Sequence, residues 1–205
     1  TLNIPVVETI AGRANMLATH PLNIGPVGVT GSDSANWAAE RADVILSVGC
    51  RLQDFTTGSW TAFSHDAQFI SLNAARHDAA KHRSLPVVGD AKLGLAALQK
   101  TLGERCGDPT WTKEAQAQRQ IWDHTVAETV RAGDNRPNSY AQAIGVVNAL
   151  VADHDRVVAA AGGLPAEVTA NWRTLKTGTV DVEFGFSCMG YEIAGAWGAR
   201  IAQSE

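Results

Sequence analysis

Residues 43–51 read DVILSVGCR, and this short stretch carries the clearest fold signal in the chain. It is a nearly continuous apolar run that stops at a glycine, which is typical of a strand buried on both faces of a parallel sheet. Similar runs and intervening helix-like stretches surround it, with strands expected at 4–7, 69–72 and 87–88 and helices at 34–42 and 91–102. Such strand–helix alternation predicts a parallel α/β layer fold with right-handed crossovers.

The polar segment 103–109, GERCGDP, interrupts this alternation. Residues 112–131 follow with few apolar positions, which predicts a surface helix that links two units and ends at Ala132-Gly133-Asp134. Pro137-Asn138-Ser139 then opens another helix, with Ser139 as its N-cap. We therefore predict three regions: a parallel-sheet unit at 1–105, a helical linker at 106–137, and the first part of a second α/β unit at 138–205.

The composition excludes several classes of partner. The chain has 205 residues, a net charge of −4 and a pI near 5.8, so it lacks the basic surface that binds nucleic acid or anionic membranes. We expect no signal peptide, and the sequence contains no apolar run of the roughly 18 residues that a membrane helix needs. Three scattered cysteines predict no disulfide framework, and free thiols suit the cytoplasm. The six histidines show no ligand spacing, so we expect no metal site in this chain.

A glycine-rich loop, GPVGVTG, occupies residues 25–31 and precedes a helix. Gly28 and Gly31 would let backbone N–H groups approach an anion, and the helix N-terminus adds partial positive charge. The alternative is structural, with the glycines satisfying a turn while Ser32 or Ser34 caps the helix. The loop lacks the Gly-Lys-Ser/Thr of a P-loop, so the residues alone leave both interpretations open.

Charged residues follow two of the expected strands. Ligands of open α/β sheets lie beyond the carboxyl ends of the strands, which is where Arg51 and Asp90 stand. Arg51 either pairs with a phosphate bidentately or is an ordinary surface arginine. Asp90 either touches a ribose or, as we favour, caps the helix that begins at Ala91.

The last third of the chain contains two further turns. A strand expected at 157–161 leads into a tight turn at 162–165, GGLP, and residues 187–190, SCMG, precede a helix rich in alanine and glycine. Glycine inside a helix costs about 0.5–1 kcal/mol relative to alanine, so Gly195 and Gly198 predict close packing on one face. A tight crossing within the chain or an interface would each explain them.

These segments, in this order, resemble the thiamine-diphosphate enzyme superfamily that includes acetolactate synthase and pyruvate oxidase. Residues 4–102 resemble its middle domain, and residues 139–205 resemble the first part of its diphosphate-binding domain. SCMGYEIAG at 187–195 and VVAAAGGLPAE at 157–167 resemble its trihydroxycyclohexane-dione hydrolase branch. The resemblance implies a thiamine-diphosphate enzyme with Mg²⁺ that opens a cyclic polyol-dione by cleaving a C–C bond in myo-inositol breakdown.

The resemblance also assigns cofactor contacts to the two turns. The turn near the diphosphate matches Gly162, Gly163, Leu164 and Pro165, and the turn against the aminopyrimidine ring matches Ser187, Cys188, Met189 and Gly190. Met189 matches the bulky residue that holds the cofactor in its bent shape.

In some relatives the middle domain binds FAD or ADP, through positions that match Gly28, Gly31, Arg51 and Asp90. Here Asn73 and Gln53 stand where relatives carry acidic residues. We therefore expect a vestigial nucleotide site and no FAD.

Other parts of the family's site are expected outside this chain. The activating glutamate belongs to an N-terminal pyrimidine-binding domain, the GDG…N signature that holds Mg²⁺ would follow residue 205, and the middle domain's first strand would precede Thr1. No catalytic residue or metal ligand is expected here, so the chain alone should be inactive, while the whole enzyme forms a homodimer or homotetramer. Two alternatives are part of a related decarboxylase or synthase (malonic-semialdehyde oxidative decarboxylase or acetolactate synthase type) and a non-catalytic nucleotide-binding module.

Overall fold

Parallel strands separated by helices make up the first half of the chain. The computed structural model describes residues 2–131, 133 and 139–203. Its first elements, in chain order, are β1 (Val6–Glu8), β2 (Asn23–Pro26), α1 (Asp33–Arg41), β3 (Val44–Val48), α2 (Asp54–Thr57), β4 (Gln68–Asn73), α3 (Arg76–Ala79), β5 (Leu85–Val88) and α4 (Ala91–Leu102). The strands form two sheets, β1–β2 and β3–β4–β5, in which every pair is parallel. The predicted parallel α/β fold is confirmed.

Strand β3 pairs with β4 along its whole length, with Val44 opposite Gln68 and Val48 opposite Leu72. One face of this sheet packs on α1 and the neighbouring loops. The buried side chains of that core are Val27, Ala35, Ala39, Leu52, Phe63 and Phe69. Because β3, β4 and β5 are parallel, their carboxyl ends lie along one edge of the sheet, as the sequence predicts.

Strand β2 is a strand of this half that the sequence misses. It contains Gly25 and Pro26, starts with Asn23, and has a single β-branched residue, Ile24, so it carries little of the signal that marks strands. All four of its residues are nevertheless buried, because it pairs with β1 and lies beneath α1 and the helix at Pro109–Thr129. The Asn23 side chain accepts a hydrogen bond from the N–H of Gly25 at 3.0 Å, which offsets the burial of a polar residue.

Helix α5 (Pro109–Thr129) packs on the first half of the chain rather than lying free on the surface. Its buried residues are Thr112, Ala115, Arg119 and Val126. Ala115 contacts Ile24 of β2, and Trp111 stacks on Trp37 of α1 with ring centroids 5.3 Å apart. The helix is exposed along much of its length, as predicted, but one face is buried by a mixture of small, polar and apolar residues that gives no apolar pattern.

The second half is a smaller α/β arrangement. Its elements are α6 (Tyr140–Leu150), β6 (Val157–Ala159), α7 (Gly163–Asn171), β7 (Val180–Val182) and α8 (Tyr191–Ala202), and β6 and β7 are parallel. Strand β6 ends two residues earlier than expected, and β7 is not predicted. The core residues are Ile10, Ile144, Ala159, Val168, Trp172 and Val182. Since Ile10 follows β1, both halves contribute to this core.

Side-chain caps fix several helix starts. Ser32 accepts a hydrogen bond from the N–H of Ala35 at 3.1 Å, and Ser139 accepts one from the N–H of Gln142 at 3.2 Å. The cap predicted at Ser139 is therefore confirmed, and of the two alternatives Ser32 and Ser34 it is Ser32 that caps α1. The predicted breaks at Ala132, Asp134 and Pro137-Asn138 lie outside the described residues.

In the part of the chain that the structure describes, no helix is long and apolar enough to cross a membrane.

Candidate functional site

The two turns that the resemblance assigns to the cofactor lie at the same edge of one sheet. Gly162 follows β6 and Ser187 follows β7, and these strands run parallel from Val157–Val180 to Ala159–Val182. The N–H of Glu183 donates to the carbonyl of Ala159 at 3.0 Å, so the pairing continues to the edge where both turns begin. The turns are thus brought to the carboxyl edge of the β6–β7 sheet, where ligands of parallel sheets bind.

The first turn leads directly into helix α7. Gly162 is the N-cap with φ +100°, a conformation that side chains rarely adopt, and among the described residues nothing lies within 4 Å of where its Cβ would stand. Leu164 is exposed and Pro165 is buried. The N-terminus of α7 therefore presents its first-turn N–H groups beside a residue without a side chain, a local geometry that suits an anion.

The second turn is shaped by the carboxylate of Glu183. Its two oxygens accept hydrogen bonds from the N–H groups of Phe186 at 2.9 Å and Cys188 at 2.8 Å. These backbone hydrogen bonds lower the pKa of Glu183, because they stabilise the ionised form. Within the loop Ser187 takes φ +54°, and Gly190 takes φ +92° immediately before α8.

A stripe of exposed apolar side chains continues from this turn along α8. Met189 is 87% exposed, and the other members are Phe186, Ile193, Trp197 and Ile201. The opposite face of α8 packs on the sheet, where a Cβ at Gly195 would lie 2.9 Å from the Tyr191 ring and 3.3 Å from Val158. Gly195 is therefore explained by packing within the chain. Gly198 has nothing within 4 Å among the described residues, so the close packing expected at this position is absent from them.

A hydroxyl–carboxylate pair lies next to the second turn. The Tyr191 hydroxyl donates to Asp181 at 3.2 Å. The negative charge of Asp181 raises the pKa of Tyr191, because ionisation of the phenol would bring two negative charges together. The hydroxyl thus stays protonated and links the start of α8 to β7.

The glycine loop of the first half is closely packed against its own surroundings. Gly28 has φ +115°, its N–H donates to the Asn36 side chain at 2.8 Å, and a Cβ would overlap the carbonyl of Phe55. A Cβ on Gly31 would lie 2.5 Å from the carbonyl oxygen of Pro26. These contacts support the structural interpretation of the loop, since internal acceptors already use N–H groups that an anion would need.

The other two positions of the expected nucleotide site also have local roles. Asp90 accepts a hydrogen bond from the N–H of Leu93 at 2.9 Å and so caps α4, as favoured from the sequence. Arg51 is exposed, and its guanidinium lies toward the loop after β7, with Nη2 3.9 Å from where a Cβ of Gly185 would stand. Asn73 donates to the carbonyl of Cys50 at 3.0 Å and so connects the ends of β3 and β4.

Sequence reasoning misses Glu183 as the residue that organises the second turn. The sequence does place this acidic residue shortly before Gly185 and Ser187. That spacing does not show which backbone N–H groups the carboxylate will accept hydrogen bonds from. Among the residues that the structure describes, no three histidine, cysteine or acidic side chains come together as metal ligands.

The comparisons with known proteins agree with one another. Residues 1–98 match the family model of the thiamine pyrophosphate enzyme central domain. A protein of Geobacillus thermodenitrificans is 36% identical over 226 aligned positions, which take in 99% of this chain and 35% of the relative. Proteins of Bacillus cereus and Bacillus anthracis are each 34% identical with the same two coverages.

All three relatives are named 3D-(3,5/4)-trihydroxycyclohexane-1,2-dione hydrolase. The chain spans about a third of the length of these curated relatives, at 35% of each.

Proposed function

We propose that this chain is part of a thiamine pyrophosphate enzyme, and specifically of a hydrolase acting on trihydroxycyclohexane-1,2-dione. The whole enzyme would open the ring of this cyclic dione by C–C bond cleavage in myo-inositol breakdown. The printed names of the relatives and their alignment over 99% of the chain support this assignment.

One structural observation carries the proposal. The turns at Gly162 and Ser187 follow adjacent parallel strands and reach the same sheet edge. A ligand at this edge would contact the N-terminus of α7 on one side and the turn before α8 on the other. A cofactor with a diphosphate at one end and an aromatic ring at the other needs two such regions, one with N–H donors and one with apolar atoms.

The residues at this edge fit thiamine diphosphate. The N–H groups at the start of α7 would bind the diphosphate, and Gly162 leaves room for its approach because no other atom lies within 4 Å of its Cβ position. Met189, almost fully exposed beside its turn, would pack on the aminopyrimidine ring together with Ser187 and Cys188. Thiamine diphosphate, when bound, supplies the carbon nucleophile that attacks a carbonyl of the dione.

We further propose that the whole enzyme holds the diphosphate with Mg²⁺, works in the cytoplasm and assembles as a homodimer or homotetramer. Cys50, Cys106 and Cys188 are all free thiols, which supports a reducing compartment. We also propose the regions 1–105, 106–137 and 138–205 as the middle domain, the linker and the beginning of the diphosphate-binding domain.

The test is a turnover assay on the protein encoded by the complete locus that contains this chain. With thiamine diphosphate and Mg²⁺ it should open the cyclic dione, and Met189→Ala should raise the cofactor concentration needed for half-maximal rate about tenfold. Leu93→Ala, an exposed change on α4, is the matched control and should have no effect. Turnover of pyruvate or malonic semialdehyde instead of the dione would reject the proposed substrate.

A further inference from the structure

The segment Arg51–Phe55 of the first half contacts the loop that precedes α8. The ring of Phe55 packs edge-on against Phe184, with centroids 4.7 Å apart and an interplanar angle of 75°. Arg51 reaches the same loop at Gly185. Aromatic pairs of this geometry contribute beyond the area that they bury, so this is a specific contact between two distant parts of the chain.

The glycine loop fixes the position of Phe55. The N–H of Val29 donates to the carbonyl of Phe55 at 2.8 Å, and only a glycine at position 28 lets the two backbones approach so closely. Helix α2, which carries Phe55, is therefore held by the glycine loop. The loop has a structural use in this chain that requires no nucleotide.

Phe184 adjoins the residue that shapes the second turn. Glu183 holds the N–H groups of Phe186 and Cys188, while Phe184 packs partly into the core of the second half. A displacement of Phe184 would therefore move the Glu183 carboxylate relative to the N–H groups that it binds. The contacts run without a break from the glycine loop through Phe55 to the turn.

We propose that the middle unit braces the cofactor turn, with Phe55 and Glu183 as positioning residues for Ser187, Cys188 and Met189. This inference rests on the proposed function, which assigns Ser187, Cys188 and Met189 to the cofactor. The middle unit would fix the shape of the turn through the contact of Phe55 with Phe184.

Amide hydrogen exchange in the 205-residue chain, followed by NMR at Phe186 and Cys188, tests the brace without any cofactor. Phe55→Ala and Glu183→Gln should each accelerate exchange at these two amides about tenfold, the effect of losing one charge-assisted hydrogen bond. Phe55→Tyr, which keeps the ring, should exchange like the wild type. Ile121→Ala, an exposed change on α5, is the matched control.

The pH dependence of amide exchange at Phe186 and Cys188 distinguishes a positioning role of Glu183 from an effect on general stability. In the wild type the protection of these amides should disappear as the pH falls through the lowered pKa of Glu183, and in Glu183→Gln this step should be missing. Wild-type exchange in Phe55→Ala would overturn the brace, as would equal acceleration throughout α7. If Phe55→Ala does not fold, Phe55→Leu takes its place with the same criteria. Failure of the turnover assay would leave this result unchanged, so the two proposals fail separately.

Discussion

Arg13 donates a hydrogen bond to the main-chain carbonyl of Trp172 at 2.8 Å, across 159 residues of sequence. The same guanidinium pairs with Glu8, and both side chains are buried. Arg13 thus connects the segment after β1 to the end of α7. Burial lowers the pKa of Arg13, while the negative charge of Glu8 opposes that shift.

A second arginine extends this connection to the linker helix. Arg119 of α5 donates to the carbonyls of Asn23 at 2.7 Å and Ala18 at 3.1 Å, and it pairs with Asp123. Asp123 also lies 2.9 Å from the guanidinium of Arg173, next to Trp172. Helix α5 and both halves therefore meet in one polar network, which fixes the position of the second half on the first.

Replacing Arg13 by methionine should lower the free energy of unfolding by about 3–5 kcal/mol, because the carboxylate of Glu8 would stay buried without its charge partner. Arg41→Met removes an exposed pair with Glu40 and should cost at most about 0.5 kcal/mol. Urea titrations of the two variants provide the comparison. Losses of equal size would show that the buried pair is not an important connection.

The conformation of Gly28 should not tolerate a side chain. Gly28→Ala combines φ +115° with overlap on the Phe55 carbonyl, so we expect a loss of more than about 2 kcal/mol. Gly89→Ala is the matched control, since its Cβ would meet nothing within 4 Å, and it should change stability by less than about 0.5 kcal/mol. Chemical denaturation of both variants tests this, and a stable Gly28→Ala protein would mean that the loop is not fixed by its contact with α2.

The three thiols should react at two different rates. Cys106 and Cys188 are exposed, whereas burial raises the pKa of Cys50 and leaves less of the reactive thiolate at neutral pH. Ellman's reagent should therefore modify two thiols quickly and the third at least about tenfold more slowly. As the pH rises, the rate of the slow thiol should increase, because more of Cys50 becomes thiolate. Cys50→Ser should remove the slow phase, and its persistence would contradict the assignment.

The parts of the fold that could be predicted are those with a local chemical signal. Strand β3 has a continuous apolar run, and Asp90 is a good cap before a helix. Strand β2 and the buried face of α5 could not be predicted, because Asn23, Gly25 and Arg119 become buried only through partners distant in sequence. The candidate turns follow from motif resemblance, but the link from Phe55 to Glu183 depends on tertiary contacts that no local pattern encodes.

The 205-residue chain by itself should have little affinity for thiamine diphosphate. Gly162 and Met189 lie on turns of a single sheet edge, and N–H groups exposed to water contribute only about 1 kcal/mol each. A micromolar complex needs roughly 8 kcal/mol, which these contacts do not reach without Mg²⁺ ligands. Ligand at a hundred times its dissociation constant would stabilise the fold by about 2.7 kcal/mol and raise the melting midpoint by several degrees.

We therefore expect millimolar thiamine diphosphate with Mg²⁺ to shift the melting midpoint of this chain by less than about 1 °C, because binding too weak for saturation adds little stability. Mg²⁺ alone is the control for a general salt effect, and the cyclic dione should not be turned over. Stabilisation specific to the cofactor, or turnover above buffer, would show that the two turns suffice to bind it. In that case the parts of the site that we assign outside this chain would not be required.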